Sequence, residues 1–550
     1  MPRTITTAAL PSAAEVWLGV VSRLSYDPAE QLNTFHESCG RWAADPGRLA
    51  LVVCHADGSS QRWTYAELSR AAASASSVLA SMGLRRGDRV ASVLSRQVES
   101  WVVALAAWRS GITVVPLFVG FGAEALRTRL RTARASAVVV DHRWRAAVDD
   151  ALSGLDQECA VLTVAGPDGA GLQRGDWSFW ERLEAAVQVP DAVRTSADEP
   201  ATLMFTSGTT SEPKACVLPH SGFLSLVPFV EHVFAVGAGD VLFGTSDPGW
   251  SYGLYTSGCV VMSLGIPRVL YTGDFDPQAW LDVIEAESVT YAVGAPTAFR
   301  RLLTAARERG MPAGLRGAST AGEPLDPETV AAWRELGGTD IRDGYGLTEV
   351  GMVLGNLGDP PLPVEPGLLA GAVPGFEVEL LDADGRPVAA GERGVLAIER
   401  PAFQLSTGYD NAPEAWQARW QDDRFVTDDL FTRDEHGRFA FAGRADDVIV
   451  TAGYNVGPAE VEAVLLEHPG VLEAAVVASP DPDRGSVVRA VLVVGDTAGP
   501  DLTAQLQDLV RRRVGRHAYP RLVEYVDALP RTATGKIMRA TLRAADPREG

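Results

Sequence analysis

Two lysines stand among 49 basic residues; all the others are arginines. Lys214 closes the run Thr206-Ser207-Gly208-Thr209-Thr210-Ser211-Glu212-Pro213-Lys214, and Lys536 closes Pro530-Arg531-Thr532-Ala533-Thr534-Gly535-Lys536. An ammonium is a compact point charge on a thin stem, whereas a guanidinium is a broad planar fork. A position that keeps lysine where arginine serves everywhere else suits a crowded anion site, for a phosphate or a carboxylate. Both lysines lie in loops rich in Gly, Ser, Thr and Pro, which offer backbone N–H groups and hydroxyls to anions. A composition high in Ala, Arg and Gly accounts for part of the lysine loss, but not for where the survivors lie.

Around Lys214 the chemistry is that of a phosphate cradle. Leu203-Met204-Phe205 is an apolar strand end, and four hydroxyls then surround Gly208. The Walker pattern is absent, and such a run taken alone is an ordinary turn. Further on, Asp343-Gly344-Tyr345-Gly346-Leu347-Thr348-Glu349 offers one carboxylate. That is adequate for Mg²⁺ beside a triphosphate, because the ion takes few carboxylates and otherwise phosphate and water oxygens. The same residues also suit a capped helix start. Phe425-Val426-Thr427-Asp428-Asp429 and Gly443-Arg444-Ala445-Asp446-Asp447 are, as bare sequence, an acidic loop and a solvated turn.

These loops need a scaffold, and 550 residues with 46% hydrophobic content build several domains. Strand-like segments (88–94, 113–117, 137–140, 201–205) alternate with helical ones (63–82 after its opening turn, 99–108), which predicts parallel sheets covered by helices. Between 364 and 443 short alternating strands (376–381, 394–398, 438–441) with Asp-Gly turns suggest a small antiparallel barrel or sheet. From 447 onward the pattern is α+β, with helices at 460–466 and 502–513 and strands at 473–478 and 487–494. A net charge of −21 argues against nucleic acid or an anionic membrane as partner. Five scattered cysteines fit a reduced cytoplasm rather than a disulfide framework or a zinc site. No signal peptide or membrane span is expected.

These five motifs and a sixth, Ala452-Gly453-Tyr454-Asn455-Val456-Gly457-Pro458, resemble in order, from Thr206 to Lys536, those of the AMP-forming adenylating superfamily of acyl-CoA synthetases, amino-acid adenylation domains and luciferases. The resemblance covers nearly the whole chain from about Asn33. It implies an α/β fold. A large N-terminal domain, 1–443, has two helix-covered, mostly parallel sheets and a small β-barrel at about 364–443. A hinge follows at 444–446, then a small mobile α+β C-terminal domain, 447–550. It also implies that Thr206, Ser207, Gly208, Thr209, Thr210 and Lys214 hold ATP phosphates, although Ser211 and Ala215 replace family glycines. Gly322, Glu323 and Pro324 resemble the adenine-side segment, Asp343 and Gly344 lead into Tyr345 beside the adenine, Thr348 contacts the α-phosphate, and Glu349 binds Mg²⁺. Asp429 takes the ribose hydroxyls, with Asp428 in a family glycine position. Arg444 reaches ribose or phosphate, and Asp446 is the pivot. Gly453 and Tyr454 line a pantetheine tunnel, where Asn455 replaces a common arginine, and Lys536 bridges carboxylate and nucleotide.

The implied reaction has two steps: a carboxylate attacks the α-phosphate of ATP and expels pyrophosphate, then a thiol attacks the acyl-adenylate and expels AMP. The C-terminal domain is expected to rotate between them, exchanging Lys536 for the Gly453 segment. Asp247-Pro248-Gly249-Trp250-Ser251-Tyr252-Gly253-Leu254-Tyr255 resembles the D-x-G-W segment of acetyl- and medium-chain acyl-CoA synthetases. Trp250, Tyr252 and Tyr255 are candidates for the acid pocket and equally for the core. Acetyl-CoA synthetases carry tryptophan at the position of Gly346, so the acid here is expected to exceed propionate. The final acceptor is CoA or the phosphopantetheine of an acyl carrier protein. An amino-acid adenylation enzyme is a weaker alternative, because the F-D-x-S segment that holds a substrate ammonium is missing. Retention of both lysines argues against an inactive binding protein.

Overall fold

A computed structural model describes residues 11–166, 169–173, 176–186, 191–206, 213–323, 325–359, 361–447, 449–451, 454–481, 485–495, 501–514, 518–531 and 537–545. The chain divides into two compact units: residues 1–377 with 398–425, and residues 378–397 with 426–550. The sequence reading places the break after 443 instead.

The first unit holds two mostly parallel sheets. One has nine strands in the order Gly371–Ala372, Gly351–Gly355, Ile341–Leu347, Gly317–Ala321, Tyr291–Gly294, Leu242–Gly244, Arg268–Tyr271, Leu49–Cys54 and Ser60–Thr64. The other has eight: Gly408–Tyr409, Lys214–Pro219, Pro200–Thr206, Thr113–Pro116, Arg89–Val93, Ala137–Asp141, Ala160–Val164 and Trp177–Ser178. Central strands of the eight-stranded sheet are buried on both faces: Val90–Val93 and Ala137–Val140 are all buried. That is the mark of a parallel strand covered twice.

Helix Val98–Ser110 (VESWVVALAAWRS) is buried almost all round and stops at Gly111, whose φ of 66° ends the last turn. Its Trp101 lies under the Arg268 guanidinium of the nine-stranded sheet, 4.4 Å from the ring centre. Its Trp108 Nε1–H donates to Thr202 Oγ1 of the eight-stranded sheet across 3.1 Å. The helix is therefore the layer between the two sheets. Strands Pro200–Thr206, Gly317–Ala321 and Ile341–Leu347 lead at their carboxyl ends into the loops expected to bind nucleotide, the usual place for a ligand in open α/β sheets.

In the second unit, the strands expected to form a small barrel belong to a five-stranded sheet that includes Val378–Leu381 and Phe439–Arg444. An α+β layer follows. Strands Val471–Asp481, Gly485–Val494 and Leu522–Tyr525 form one sheet, covered by helices Pro458–Leu466 and Leu502–Arg513 over Val461, Leu465, Leu492, Leu506 and Val510. Both helices and the first two of these strands fall where the sequence pattern puts them. Among the described residues no helix is long and apolar enough to cross a membrane.

Candidate active site

The first unit gathers the residues expected on the phosphate side. Thr206 and Lys214 are directly opposite each other at the loop end of an antiparallel hairpin. Ser207, Gly208, Thr209 and Thr210, which the hairpin carries, lie outside the described residues. The exit of the loop is pinned by Asn411: its Oδ1 accepts from the Ala215 N–H at 2.9 Å, and its Nδ2 donates to the Pro213 carbonyl at 3.1 Å. The side-chain ammonium of Lys214 stands 5.2 Å from the ring centre of Tyr409.

Glu349 sits at the turn between strands Ile341–Leu347 and Gly351–Gly355. Its Oε1 accepts from the Tyr409 hydroxyl at 2.7 Å, and its carbonyl accepts from the Ser406 N–H at 3.3 Å. Thr348 Oγ1 lies 3.1 Å from Ser251 Oγ. Glu349, Thr348, Lys214 and Tyr409 thus belong to one neighbourhood, although Tyr409 and Asn411 carried no recognised motif and Ser251, inside the D-x-G-W segment, was not singled out. Among the described residues no group of three or more His, Cys, Asp or Glu side chains could hold a metal ion. A single carboxylate with a hydroxyl nearby suits Mg²⁺ completed by phosphate oxygens, and suits a soft transition metal poorly.

Asp343 faces inward. It accepts from Thr320 Oγ1 at 3.0 Å and from the Gly344 N–H at 2.9 Å, and burial pushes its carboxyl up to about 7. Its own N–H donates to Asn356 Oδ1 at 2.9 Å, so it fixes the strand that carries Tyr345. Gly344 closes against Phe229, whose Cζ would be 2.4 Å from an added Cβ. Tyr345 is half-buried. Gly322 turns with φ +91°, and Glu323 accepts from Thr297 Oγ1 at 3.2 Å. Pro324 lies outside the described residues.

The acid-pocket candidates separate. Trp250 is half-buried against Phe118 and Phe121, with ring centres 5.6 and 6.1 Å away. Tyr252 packs against Phe234 at 6.4 Å, and burial pushes its hydroxyl up. Tyr255 is corrected to the core: it has no exposed surface, and its hydroxyl donates to Thr202 Oγ1 at 2.9 Å. The reason is local. Residues Tyr252–Cys259 form a π-helix with a kink at Gly258. Gly346 is corrected too. An added Cβ would stand 2.2 Å from the Gly351 carbonyl oxygen and 2.6 Å from Met352 Cα, so its missing side chain accommodates the neighbouring strand. Asp247 accepts from the Gly249 N–H at 2.8 Å and is almost wholly buried, which pushes its carboxyl up to about 6. It shapes the Asp-Pro-Gly-Trp corner.

In the second unit Asp429 and Arg444 are opposite each other in an antiparallel pair. Arg444 donates to Asp429 Oδ1 at 3.5 Å and to Asp428 Oδ2 at 3.2 Å. Asp446 lies in the 3-10 turn Ala445–Asp447, and Tyr454 opens strand Tyr454–Val456. Gly453 and Lys536 lie outside the described residues. The segment carrying Lys536 is closed by pairing of Arg531 with Ile537.

The chain matches the family model of the AMP-binding enzyme over residues 40–410 and that of the AMP-binding enzyme C-terminal domain over 460–536. It is 34% identical over 514 residues to the mitochondrial acyl-coenzyme A synthetase ACSM4 of Mus musculus, covering 90% of this chain and 87% of that protein. A solved acyl-CoA synthetase from Brucella canis superposes with a TM-score of 0.76 at 33% identity, over 98% of this chain and 100% of its own. The anthranilate CoA ligase AuaEII, solved with anthranoyl-AMP, superposes with a TM-score of 0.85 at 25% identity, over 96% and 98%.

Proposed function

This chain belongs to the AMP-binding enzyme family and is an AMP-forming acid–CoA ligase, and from that premise we propose how its residues divide the work and which acid it activates. Lys214 and the hydroxyls of the 206–210 loop hold the polyphosphate. Lys536 neutralises the incoming carboxylate and the α-phosphate as they meet. Glu349 would hold a magnesium ion, which would supply further neutralisation of the phosphate oxygens. Because two anions must approach, this is positioning and electrostatics rather than covalent chemistry by the protein. Asp429 accepts the ribose hydroxyls and Arg444 donates to ribose or phosphate. Asp446 serves as the pivot between half-reactions, and the Gly453–Tyr454 segment admits the pantetheine thiol.

The acid is larger than propionate. The half-buried Trp250 with Phe118 and Phe121 offers an aromatic wall to such an acid. The likeness to an anthranilate CoA ligase supports an acid of aryl or medium-chain size. Asp247 is buried and turned onto the Gly249 N–H, which weighs against its holding a substrate ammonium and so against amino-acid activation. The carrier-protein phosphopantetheine is kept as a second acceptor for one reason: Asn455 stands where family members carry arginine toward the CoA nucleotide. Five free cysteines support a reducing, cytoplasmic setting.

The observation that carries this function is the hairpin of Thr206 and Lys214 in one neighbourhood with Glu349. The test is pyrophosphate release over a panel of carboxylic acids from acetate to aryl and medium-chain acids, with CoA and a phosphopantetheinylated carrier as acceptors. Release greatest with acetate or propionate removes the size assignment. Thioester on the carrier but not on CoA reverses the choice of acceptor.

A further inference from the structure

A carboxylate that must present one oxygen to a cation is held on a flexible side chain, and something has to orient it. Glu349 Oε1 accepts the Tyr409 hydroxyl at 2.7 Å, and among the described residues no side-chain or backbone donor reaches Oε2. The ring of Tyr409 meanwhile lies beneath the Lys214 ammonium at 5.2 Å. Lys214 and Glu349 form no direct ion pair; the tyrosine stands between them.

Tyr409 is itself fixed. Strand Gly408–Tyr409 pairs with strand Lys214–Pro219, placing Tyr409 opposite Cys216. Its ring meets Trp416 edge-on at 5.3 Å. The next residue, Asp410, is gripped by Arg89 through hydrogen bonds of 2.7 and 2.9 Å, and Asn411 holds both sides of Lys214. One short segment therefore ties the loop cation and the turn carboxylate to the same support.

We propose that Tyr409 is a positioning residue: its hydroxyl orients Glu349 so that Oε2 faces the metal–phosphate group, and its ring keeps Lys214 from neutralising that carboxylate. This rests on the assignment of Glu349 and Lys214 to the nucleotide site. Partners that orient a metal ligand commonly contribute 10–100-fold in metal affinity or activity. Tyr409→Phe keeps the ring and its Trp416 contact and removes only the hydroxyl. Tyr409→Leu removes both.

The experiment measures Mn²⁺ binding by electron paramagnetic resonance of the free ion, with a non-hydrolysable ATP analogue present, beside metal-free binding of the analogue and thermal unfolding. Tyr409→Phe is expected to weaken Mn²⁺ binding by about 10-fold or more, with Tm and metal-free analogue binding near wild type. Tyr409→Leu should in addition weaken analogue binding without metal, because Lys214 is released. Glu349→Gln is the control. If it weakens Mn²⁺ binding and Tyr409→Phe does not, the role of Tyr409 is overturned while the site assignment stands. If Glu349→Gln leaves Mn²⁺ binding unchanged, the assignment of Glu349 itself falls, and the role of Tyr409 with it. A Tyr409→Phe variant that loses Mn²⁺ binding only in proportion to a lowered Tm also overturns the proposal.

Discussion

A Cβ placed on Gly346 would stand 2.2 Å from the carbonyl oxygen of Gly351, across the hairpin that carries Glu349 at its turn. The register shifts between Tyr345 and Gly346, and the glycine lets the two backbones close over that irregularity. Gly346→Ala is therefore expected to cost about 1–3 kcal/mol of stability and to weaken nucleotide binding, with no selectivity between acids. Gly346→Trp should impair pyrophosphate exchange with acetate as well as with longer acids. Tm, ATP-analogue binding and exchange with a short and a long acid check this. A tryptophan variant that keeps its Tm and nucleotide affinity and merely turns to acetate would show that the hairpin yields and that the position does border the acid.

Lys536→Ala is expected to lower adenylate formation by about 100-fold or more, the scale of losing a donor that faces developing charge. Thioester formation from synthetic acyl-adenylate and CoA should stay near wild type, since Lys536 is assigned to the first half-reaction. Pyrophosphate exchange and thioester assays on one preparation decide it; equal losses in both would remove the division of labour.

Arg444 is shared by Asp429 and Asp428, and Asp428 stands where the family motif it resembles has glycine. The Arg444–Asp428 pair is partly exposed, so it contributes only about 0.2–1 kcal/mol. Asp428→Gly should leave Tm almost unchanged and lower KM for ATP by no more than about 5-fold, because Arg444 then has one fewer anion to leave. A rise in KM would mean that Asp428 helps to place Arg444.

His220 is wholly buried, with its Nδ1 accepting from the Thr34 N–H at 3.1 Å. Among the described residues its Nε2 has no hydrogen-bond partner. Burial brings the imidazole down from 6.5 to about 4, against a smaller upward pull from Glu199; Arg86 adds a little to the lowering. The folded state therefore resists a proton that the unfolded chain accepts below pH 6.5. Stability from this group is present above pH 6.5 and is lost as pH falls toward 4. At ~1.4 kcal/mol per pKa unit the loss is roughly 3 kcal/mol. His220→Asn should remove that part of the acid sensitivity, seen as a smaller change in Tm between pH 7 and pH 4.5 than in wild type. Parallel Tm curves would rule out His220 as the source.

The chemistry was legible in the residues because it is local. A hydroxyl-rich loop closing on a rare lysine, a lone glutamate after Tyr345-Gly346-Leu347-Thr348, and a second lysine in a Gly/Thr-rich loop each carry the proposed role within a few positions. The strand and helix alternation is likewise a short-range pattern, and most elements fall within a residue or two of where it puts them. Pairing of distant segments is not local. Tyr409 and Glu349 lie 60 positions apart and meet because strand Gly408–Tyr409 adds to the edge of the eight-stranded sheet. Nothing in Gly408-Tyr409-Asp410-Asn411 announces that edge. Tyr255 looked equivalent to Trp250 by sequence, and only the π-helix turns it onto Thr202. The bare Gly346 looked like room for substrate, yet the backbone of Gly351 and Met352 takes the space. Residue types thus carried the proposal of which anions this protein holds. Sheet pairing and close packing decided which side chains stand beside them, because neighbours across a sheet are set by backbone hydrogen bonds that any sequence of the right polarity can make.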